Sequence, residues 1–347
     1  MIQAKGYAAL DVKEKLTPWN FERRDIGAHD VQIEILYCGV CHTDMHCINN
    51  AWFPGIFPMV PGHEIVGKIK AIGSQAKKFK VGDIAGVGVM VDSCQQCEDC
   101  KSGHEQFCQV QTVNTYNNLD LQKQPTYGGY SNTIVVKEDF AYRISEKLDL
   151  AAVAPLLCAG ITTWSPLRKW KVGKGHKLGV VGLGGLGHMA VKFGRALGAD
   201  VTVISTSPHK EEAAKQLGAH HFVVSKDEQQ MKSVFHSFDF ILDTVSGNQD
   251  ITPYLGLLRT NGTYINVGLP AKPWEISSFS VVVGNKSITG SGAGGLKETQ
   301  DMLDFCAEHN IVSDIELIDI KNINHAFERL EKGDVRYRFV IDMSTLN

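Results

Sequence analysis

Residues 177–198 read KLGVVGLGGLGHMAVKFGRALG, and this stretch decides the fold of the second half of the chain. A short apolar run leads into a glycine-rich turn, and the turn leads into a segment with the apolar period of a helix. A second apolar run, Val201–Ser205, follows. This strand–turn–helix–strand context predicts a dinucleotide-binding unit, in which backbone amides at the helix N-terminus bind a pyrophosphate. The predicted pyrophosphate-binding residues are Gly182, Gly184, Gly185, Leu186 and Gly187.

The alternation of strand-like and helix-like segments continues to about residue 290. Further strands are predicted at 221–224, 238–245, 262–268 and 287–290, with helices at 209–217 and 250–259. Six strands with intervening helices predict an α/β fold class with a doubly wound parallel sheet of the Rossmann type. We assign residues 154–292 to this predicted cofactor-binding domain.

The end of the second predicted strand bears on the choice of dinucleotide. A site specific for NAD normally places Asp or Glu there to bind the ribose 2′-hydroxyl. This chain instead has Ser205, Thr206 and Ser207, with Lys210 nearby. Hydroxyls and a cation would accept a 2′-phosphate, so we predict NADP(H) as the cofactor. The alternative interpretation is that the hydroxyl residues form a turn and cap the next helix, and one residue can serve both roles.

The first half of the chain is predicted to be β-rich. Residues 31–37 alternate apolar and polar side chains, and residues 65–73 form a β-branched run bounded by glycine. Short strands and Gly-rich turns without a helical period predict a small barrel-like domain over residues 1–153. Residues 293–347 contain one predicted helix and a late strand, and we expect them to return to this first domain.

Four cysteines lie within fifteen residues of the predicted β-rich domain, at Cys94, Cys97, Cys100 and Cys108. Spacings of three, three and eight residues suit a closed tetrahedral zinc site with four thiolate ligands. A closed site leaves no position for a substrate. We therefore predict that this zinc stabilises a loop and does no chemistry.

A second set of metal-ligand residue types is scattered along the chain. Cys41 lies in the segment CGVCHTDMH, His63 in PGHE and Cys158 in the apolar segment LLCAG. Each residue alone is more readily explained as a buried thiol or as a histidine satisfied in a core or on the surface. Together, two cysteines and one histidine would make an open zinc site, with a fourth position free for water or substrate.

The composition of the chain bears on whether it binds nucleic acid or a membrane and on where in the cell it is located. The 347 residues carry a formal net charge of −3, which gives no general attraction to nucleic acid or to an anionic membrane. The N-terminus shows no basic segment followed by an apolar stretch, and no apolar run approaches the roughly 20 residues that span a bilayer. We expect a cytoplasmic protein without nucleic acid or membrane partners. Its nine cysteines are then better explained as metal ligands or free thiols than as disulfides.

These motifs, in this order, resemble those of the zinc-dependent medium-chain alcohol dehydrogenases, and most closely the cinnamyl alcohol dehydrogenase type of aldehyde reductase. The resemblance covers essentially the whole chain and rests on GVCHTD, PGHE, the four-cysteine cluster, PLLCAGIT and GLGGLG. The family implies a GroES-like catalytic domain, completed by the C-terminal residues, with the cofactor domain inserted. It also implies a homodimer that joins the cofactor-domain sheets through their last strand, here near residues 281–291.

The resemblance implies two zinc ions per chain and assigns ligands to each. Cys41, His63 and Cys158 would hold a catalytic zinc, and the cysteine cluster would hold a structural one. Glu64 would be a further ligand when substrate is absent. Asp44 would orient a ligand imidazole from outside the coordination sphere.

The resemblance also implies roles for four residues near the catalytic zinc. His42 would lie against the cofactor pyrophosphate, and Thr43 and His46 would form a proton relay. Trp52 would line the substrate pocket.

The sequence therefore predicts an NADP(H)-linked alcohol dehydrogenase or aldehyde reductase that transfers hydride between a primary alcohol and its aldehyde. An aromatic substrate, such as a cinnamyl or benzyl compound, and a medium-chain aliphatic one both remain open. The alternatives are an NAD-linked polyol dehydrogenase, a zinc-free quinone reductase of the same fold, and a zinc-binding protein without activity. Zinc-free relatives lack the three scattered ligands, and polyol enzymes generally differ at the position of Cys158.

Overall fold

The first sheet is built on a strand whose side chains alternate between core and solvent. Val31, Ile33 and Ile35 are buried, whereas Glu34 between them is exposed. Successive side chains of a strand point to opposite faces, so this pattern places one face of Asp30–Gly39 against the core.

The chain divides into two compact units. The computed structural model describes residues 1–270 and 272–346. One unit contains Met1–Ile161 and Gly294–Asn347, and the other contains Thr162–Ala293. The first unit is therefore discontinuous in sequence, because the second is inserted between its two segments.

The first segment is made mostly of short strands. They are β1 (Ile2–Ala8), β2 (Thr17–Arg23), β3 (Asp30–Gly39), β4 (Ile65–Ile72), β5 (Ile84–Val87), β6 (Met90–Asp92), β7 (Val113–Asn114), β8 (Thr133–Lys137) and β9 (Tyr142–Arg143). Its helices are α1 (His42–Ile48), α2 (Glu98–Lys101) and α3 (Leu150–Val153). Antiparallel pairing joins β3 to β4 and to β8, so three strands far apart in sequence form one sheet.

The inserted unit alternates strands and helices. Helix α4 (Ala159–Lys169) leads into it, and its strands are β10 (Lys177–Val181), β11 (Asp200–Ser205), β12 (His221–Val224), β13 (Phe238–Asp243), β14 (Leu258–Asn266) and β15 (Ser287–Gly290). Its helices are α5 (Gly187–Ala196), α6 (Glu211–Gln216), α7 (Glu228–Ser233), α8 (Thr252–Leu257) and α9 (Phe279–Val282). The strands pair in parallel in the order β12-β11-β10-β13-β14-β15. The predicted doubly wound parallel sheet is confirmed.

The order of these strands places the glycine-rich turn at the point where the winding reverses. β10 lies between β11 and β13, and the chain leaves the carboxyl end of β10 directly into the glycines and α5. In open α/β sheets, ligands bind in the crevice at such a switch point.

The C-terminal segment completes the first sheet. Its elements are α10 (Leu296–His309), β16 (Ile315–Asp319), α11 (Ile323–Glu331) and β17 (Arg338–Asp342). β17 pairs in parallel with β16 and antiparallel with β3, and Phe339 is buried in the core of the first unit. The full sheet order is β16-β17-β3-β4-β5-β9, with β8 paired to β3.

The structure corrects three details of the secondary structure expected from sequence. Residues His42–Ile48 form a helix, although the first 90 residues were expected to lack one, because seven residues are too few to show a period. The C-terminal segment contains a second helix, α11, whose buried residues Ile323, Ala326 and Leu330 follow a helical spacing. The helix expected at 250–259 ends at Leu257, because Leu258 already pairs with β13.

No single helix among the described residues is long and apolar enough to cross a membrane. The bent pair Leu150–Leu157 and Ala159–Lys169 would meet that requirement by length and composition alone.

Candidate metal and cofactor sites

The four clustered cysteines converge in a lobe that begins after β6. Their sulfur atoms all lie within 4.8 Å of one another, and the Sγ–Sγ distances of Cys94–Cys100 and Cys97–Cys108 are both 3.9 Å. Zinc–sulfur bonds of about 2.3 Å in a regular tetrahedron require sulfur atoms roughly 3.8 Å apart. The cluster therefore fits a closed zinc site with four thiolate ligands.

Backbone amides of the lobe point at these sulfur atoms. The N–H groups of Cys97 and Gln96 donate to Cys94 Sγ, at 3.3 and 3.4 Å, and the N–H of Cys94 donates to Cys108 Sγ at 3.4 Å. Burial opposes the thiolate form of Cys108, but such amide donors outweigh it and lower its pKa to about 6. Backbone hydrogen bonds also lower the pKa of Cys97, whereas burial raises that of Cys100 to about 12. The lobe thus favours the thiolate form, which binds zinc, at Cys97 and Cys108.

The scattered residues also converge, and all of them belong to the first unit. Cys41 precedes α1, His63 and Glu64 precede β4, and Cys158 lies directly before α4. One ligand atom from each of these four residues lies within 4.8 Å of the others, and the two sulfur atoms are 3.9 Å apart. The two thiols and the imidazole match the donor set of an open zinc site.

Burial and mutual contact perturb the groups of this second cluster. A hydrogen bond from the Cys158 thiol holds the pKa of Cys41 well below its usual value, and the same bond raises the pKa of Cys158. Burial opposes a charge on His63, but its hydrogen bonding to Asp44 outweighs this and raises the pKa of the imidazole. Cys41 is therefore the thiol of the pair that deprotonates first.

Asp44 connects the ligand segments to one another. Its carboxylate is fully buried and accepts the backbone N–H of Cys41 at 2.9 Å and that of Gly62 at 3.1 Å. Nδ1 of His63 lies 3.4 Å from Asp44 Oδ1, which leaves Nε2 free to bind a metal. Asp44 thus lies beside the imidazole of His63, and its role in orienting that imidazole stays a prediction.

Sequence reasoning missed the partner of Glu64. Glu64 and Arg338 form a fully buried ion pair, and Arg338 is supplied by the C-terminal strand β17. Oε2 of Glu64 has no hydrogen-bond partner among the described residues, and burial raises the pKa of this carboxyl to about 7. The available signal was an arginine directly before the apolar residues Phe339–Ile341 of the strand RFVID.

The predicted relay residues lie on α1, next to Cys41. Thr43 Oγ1 is 3.5 Å from Cys41 Sγ. His46 follows three residues later, so both side chains lie on the same side of the helix. The ring of Trp52 packs on that of His46, with centroids 4.5 Å apart, and His42 is exposed at the start of the helix.

The glycine-rich turn has the geometry of an anion-binding loop. Gly182 has φ +88°, and a Cβ on Gly187 would lie 2.2 Å from the carbonyl oxygen of Gly182. A Cβ on Gly184 would have no atom within 4 Å, so open space lies over the loop, and Gly185 and Leu186 complete it before α5. The turn therefore fits a pyrophosphate at the N-terminus of α5.

The residues predicted to select the dinucleotide lie beside this turn. Ser205 ends β11, and its Oγ accepts the backbone N–H of Ser207 at 3.2 Å. Thr206 is exposed, and the Lys210 ammonium donates to the carbonyl oxygen of Leu183 at 3.0 Å. The structure thus brings a cation to the edge of the loop, and no carboxylate occurs between residues 205 and 210.

Two family models match the chain. One, described as "Alcohol dehydrogenase GroES-like domain", matches residues 27–146, and the other, described as "Zinc-binding dehydrogenase", matches residues 185–308. The chain is also 52% identical over 345 residues to a Medicago sativa protein named "Probable mannitol dehydrogenase". The aligned region covers 99% of this chain and 96% of that protein.

Solved structures resemble the fold over its full length. A cinnamyl alcohol dehydrogenase from Sorghum bicolor has a TM-score of 0.96 and 48% identity, covering 99% of this chain and 98% of that one. A cinnamyl alcohol dehydrogenase from Helicobacter pylori, complexed with NADP(H), has a TM-score of 0.94 and 45% identity, covering 99% of both chains. The resemblance to this family and the expected GroES-like domain are confirmed.

The two clusters should respond differently to loss of one ligand. We expect Cys100→Ser to remove one zinc and to lower the melting temperature by roughly 5–10 °C, because a closed structural zinc site contributes folding free energy. His63→Ala should also remove one zinc, but with a smaller thermal effect. Elemental zinc analysis and differential scanning calorimetry on both variants and the wild type measure this. Two zinc ions retained in either variant would contradict the assignment.

Proposed function

The chain belongs to the zinc-type medium-chain alcohol dehydrogenase family, and we propose that it catalyses reversible, NADP(H)-linked hydride transfer between a primary alcohol and its aldehyde. The observation that carries this proposal is the convergence of Cys41, His63 and Cys158 from three separate segments. With Glu64 paired to Arg338, these three donors would leave one coordination position for the substrate oxygen.

We propose two zinc ions per chain, one in each cluster. Zinc held by Cys41, His63 and Cys158 would supply a Lewis acid that stabilises negative charge on an aldehyde oxygen as it is reduced. The thiolates of Cys41 and Cys158 would offset the charge of the ion. His63, held at Nδ1 by Asp44, would present Nε2 in a fixed direction.

We propose that Thr43 and His46 move the proton. The Thr43 hydroxyl lies beside Cys41, so it would donate a proton to a substrate oxygen bound at this position. His46 would return that proton. Burial lowers the pKa of His46, which favours the neutral ring and so its use as a proton acceptor when the alcohol is oxidised.

We propose NADP(H) rather than NAD(H) as the hydride carrier, bound at residues Gly182–Gly187. The support is the Ser205-Thr206-Ser207 segment with Lys210, and the NADP(H) complex of the Helicobacter pylori relative. His42 would lie against the pyrophosphate. We also propose that the protein is cytoplasmic and acts on a small-molecule substrate.

The substrate class that we propose is an apolar aldehyde or its alcohol, either aromatic or medium-chain aliphatic. Trp52 presents an aromatic face beside His46, and such a surface favours an apolar or planar substrate over a polyhydroxylated one. The second candidate is oxidation of a polyol, which the name of the Medicago sativa relative favours.

A panel of substrates tests these candidates. We expect NADPH-dependent reduction of cinnamaldehyde, benzaldehyde and octanal, and kcat/KM values for mannitol oxidation with NAD⁺ or NADP⁺ that are lower by about 10²-fold or more. Cys41→Ala should abolish turnover and leave NADPH binding intact, measured by fluorescence titration. Cys306→Ala is the matched control, because Cys306 is buried outside both clusters. Full activity in Cys41→Ala, or a preference for mannitol, would refute the proposal.

Cofactor choice should depend on the charge at position 205. Ser205→Asp places a carboxylate where we expect the 2′-phosphate, so like-charge repulsion should lower the NADPH/NADH ratio of kcat/KM by about 10²-fold. Ser233→Asp makes the same change on the exposed end of α7 and should leave the ratio unaltered. Equal kcat/KM with both cofactors in the wild type would contradict NADP(H) selectivity.

We propose a homodimer formed at the outer edge of β15. This strand pairs with β14 on one side and, among the described residues, has no partner on the other. In α9, which directly precedes this strand in the chain, Phe279 and Val282 are 73% and 75% exposed. An open strand edge beside exposed apolar side chains fits a self-complementary interface.

Light scattering coupled to size-exclusion chromatography tests the dimer. Phe279→Lys should shift the mass toward 38 kDa, the monomer value, because a cation would be buried at the interface. Phe235→Lys is the control, since Phe235 is a 58% exposed phenylalanine of the same unit that lies between α7 and β13, and β13 does not pair with β15. A monomeric wild type, or a dimer unaffected by Phe279→Lys, would rule out this interface.

A further inference from the structure

A tyrosine that no motif indicated completes the environment of Asp44. The hydroxyl of Tyr130 donates to Asp44 Oδ2 at 2.9 Å, and both side chains are fully buried. Oδ2 also accepts the N–H of Cys41, whereas Oδ1 faces His63 and the N–H of Gly62. Each carboxylate oxygen thus has one contact with a metal-ligand residue and one with a group that binds no metal.

Tyr130 belongs to a loop, residues 127–131, that also holds the backbone before His63. The N–H of Gly128 donates to Val60 O at 2.7 Å, that of Gly129 to Gly62 O at 2.8 Å and that of Tyr130 to Pro61 O at 3.0 Å. A Cβ on Gly128 would lie 2.3 Å from Pro61 O, so glycine is needed for this approach.

A buried arginine fixes the 127–131 loop in turn. The Arg23 guanidinium donates to the carbonyl oxygens of Tyr127 and Gly128 and to Ser131 Oγ, each at 2.8 Å. These partners are neutral groups, and burial lowers the pKa of Arg23 to about 9. The buried guanidinium thus stabilises the conformation of the 127–131 loop, and this conformation places the Tyr130 hydroxyl next to Asp44.

We propose that Tyr130 is a positioning residue for the catalytic zinc centre and acts through Asp44; the proposal rests on the function proposed above. The phenol fixes the rotation of the Asp44 carboxylate, so that Oδ1 stays directed at His63 Nδ1. In the absence of the phenol, Oδ2 keeps only the N–H of Cys41, and three of the four contacts of the carboxylate remain. The direction of the imidazole is then less strictly fixed, and the metal is held less firmly.

Tyr116 provides a matched control on the other side of the same histidine. Its ring stacks on that of His63, with centroids 5.7 Å apart and an interplanar angle of 27°, and it is also buried. No hydrogen bond from its hydroxyl to the described residues has normal geometry, but the hydroxyl lies close enough to Asp44 and Cys47 that these groups, after burial, raise its pKa. Tyr116→Phe therefore removes a hydroxyl near the same carboxylate without removing a well-formed hydrogen bond.

The test is the rate at which each variant loses zinc. Wild type, Tyr130→Phe and Tyr116→Phe are loaded with zinc and exposed to excess EDTA, and native mass spectrometry follows the number of ions per chain. His63→Ala identifies which ion belongs to the catalytic cluster. Replacement of zinc by Co²⁺ gives a second readout, because the visible absorption spectrum of cobalt reports the geometry of its ligands. A single buried hydrogen bond is a small part of the stability of a folded protein, so Tyr130→Phe should fold.

We expect Tyr130→Phe to lose the catalytic ion about 10-fold faster than the wild type, with a shifted cobalt spectrum. In Tyr116→Phe, the rate of loss of the catalytic ion should stay within about twofold of the wild-type rate. The rate of loss of the structural ion should be the same in all three proteins. A wild-type rate and spectrum in Tyr130→Phe would overturn the inference, as would equal effects of the two substitutions. A wild type that holds one zinc, unaffected by His63→Ala, would instead overturn the proposed catalytic site itself.

Discussion

The burial of the Asp44 carboxylate is the constraint on which the candidate catalytic centre depends. A charged group without access to water is stable only when donors surround it. Asp44 takes its donors from Cys41, Gly62, His63 and Tyr130, which lie on three segments, and Tyr130 is 86 residues from Asp44 in the sequence. Because these segments must meet to satisfy one carboxylate, the metal-ligand side chains of Cys41 and His63 are brought together by the same requirement.

Glycines make this convergence sterically possible. Glu64 lies against Gly39 of β3, where a Cβ would collide with its carboxylate, and Gly128 lies against the carbonyl oxygen of Pro61. Larger residues would separate β3, the segment before β4 and the 127–131 loop. The close packing of these backbones therefore has a consequence for chemistry, because it determines how near the ligand side chains can come to one another.

The parts of the structure that could be predicted from sequence are those in which the signal is local. The Cys94–Cys108 cluster and the turn at Gly182–Gly187 each lie within one short segment, so spacing and flanking pattern were sufficient for both. Cys41, His63 and Cys158 lie far apart in the sequence, so their residue types indicated only a possible open zinc site, and the order of the family motifs assigned them as its ligands. Tyr130 and Arg338 were not identified at all, because a buried hydrogen bond or ion pair between distant segments leaves no periodicity, and α1 was too short to show one.

The balance of buried charge explains why an arginine from the last strand belongs to this centre. With a metal bound, the two thiolates, Asp44 and Glu64 would bring four negative charges into this buried region, and Arg338 supplies one positive charge. A divalent cation offsets most of the remainder, whereas a monovalent one would leave two charges uncompensated. The same argument accounts for the discontinuous first unit, since the strand that completes its sheet against β3 also carries the cation that Glu64 requires.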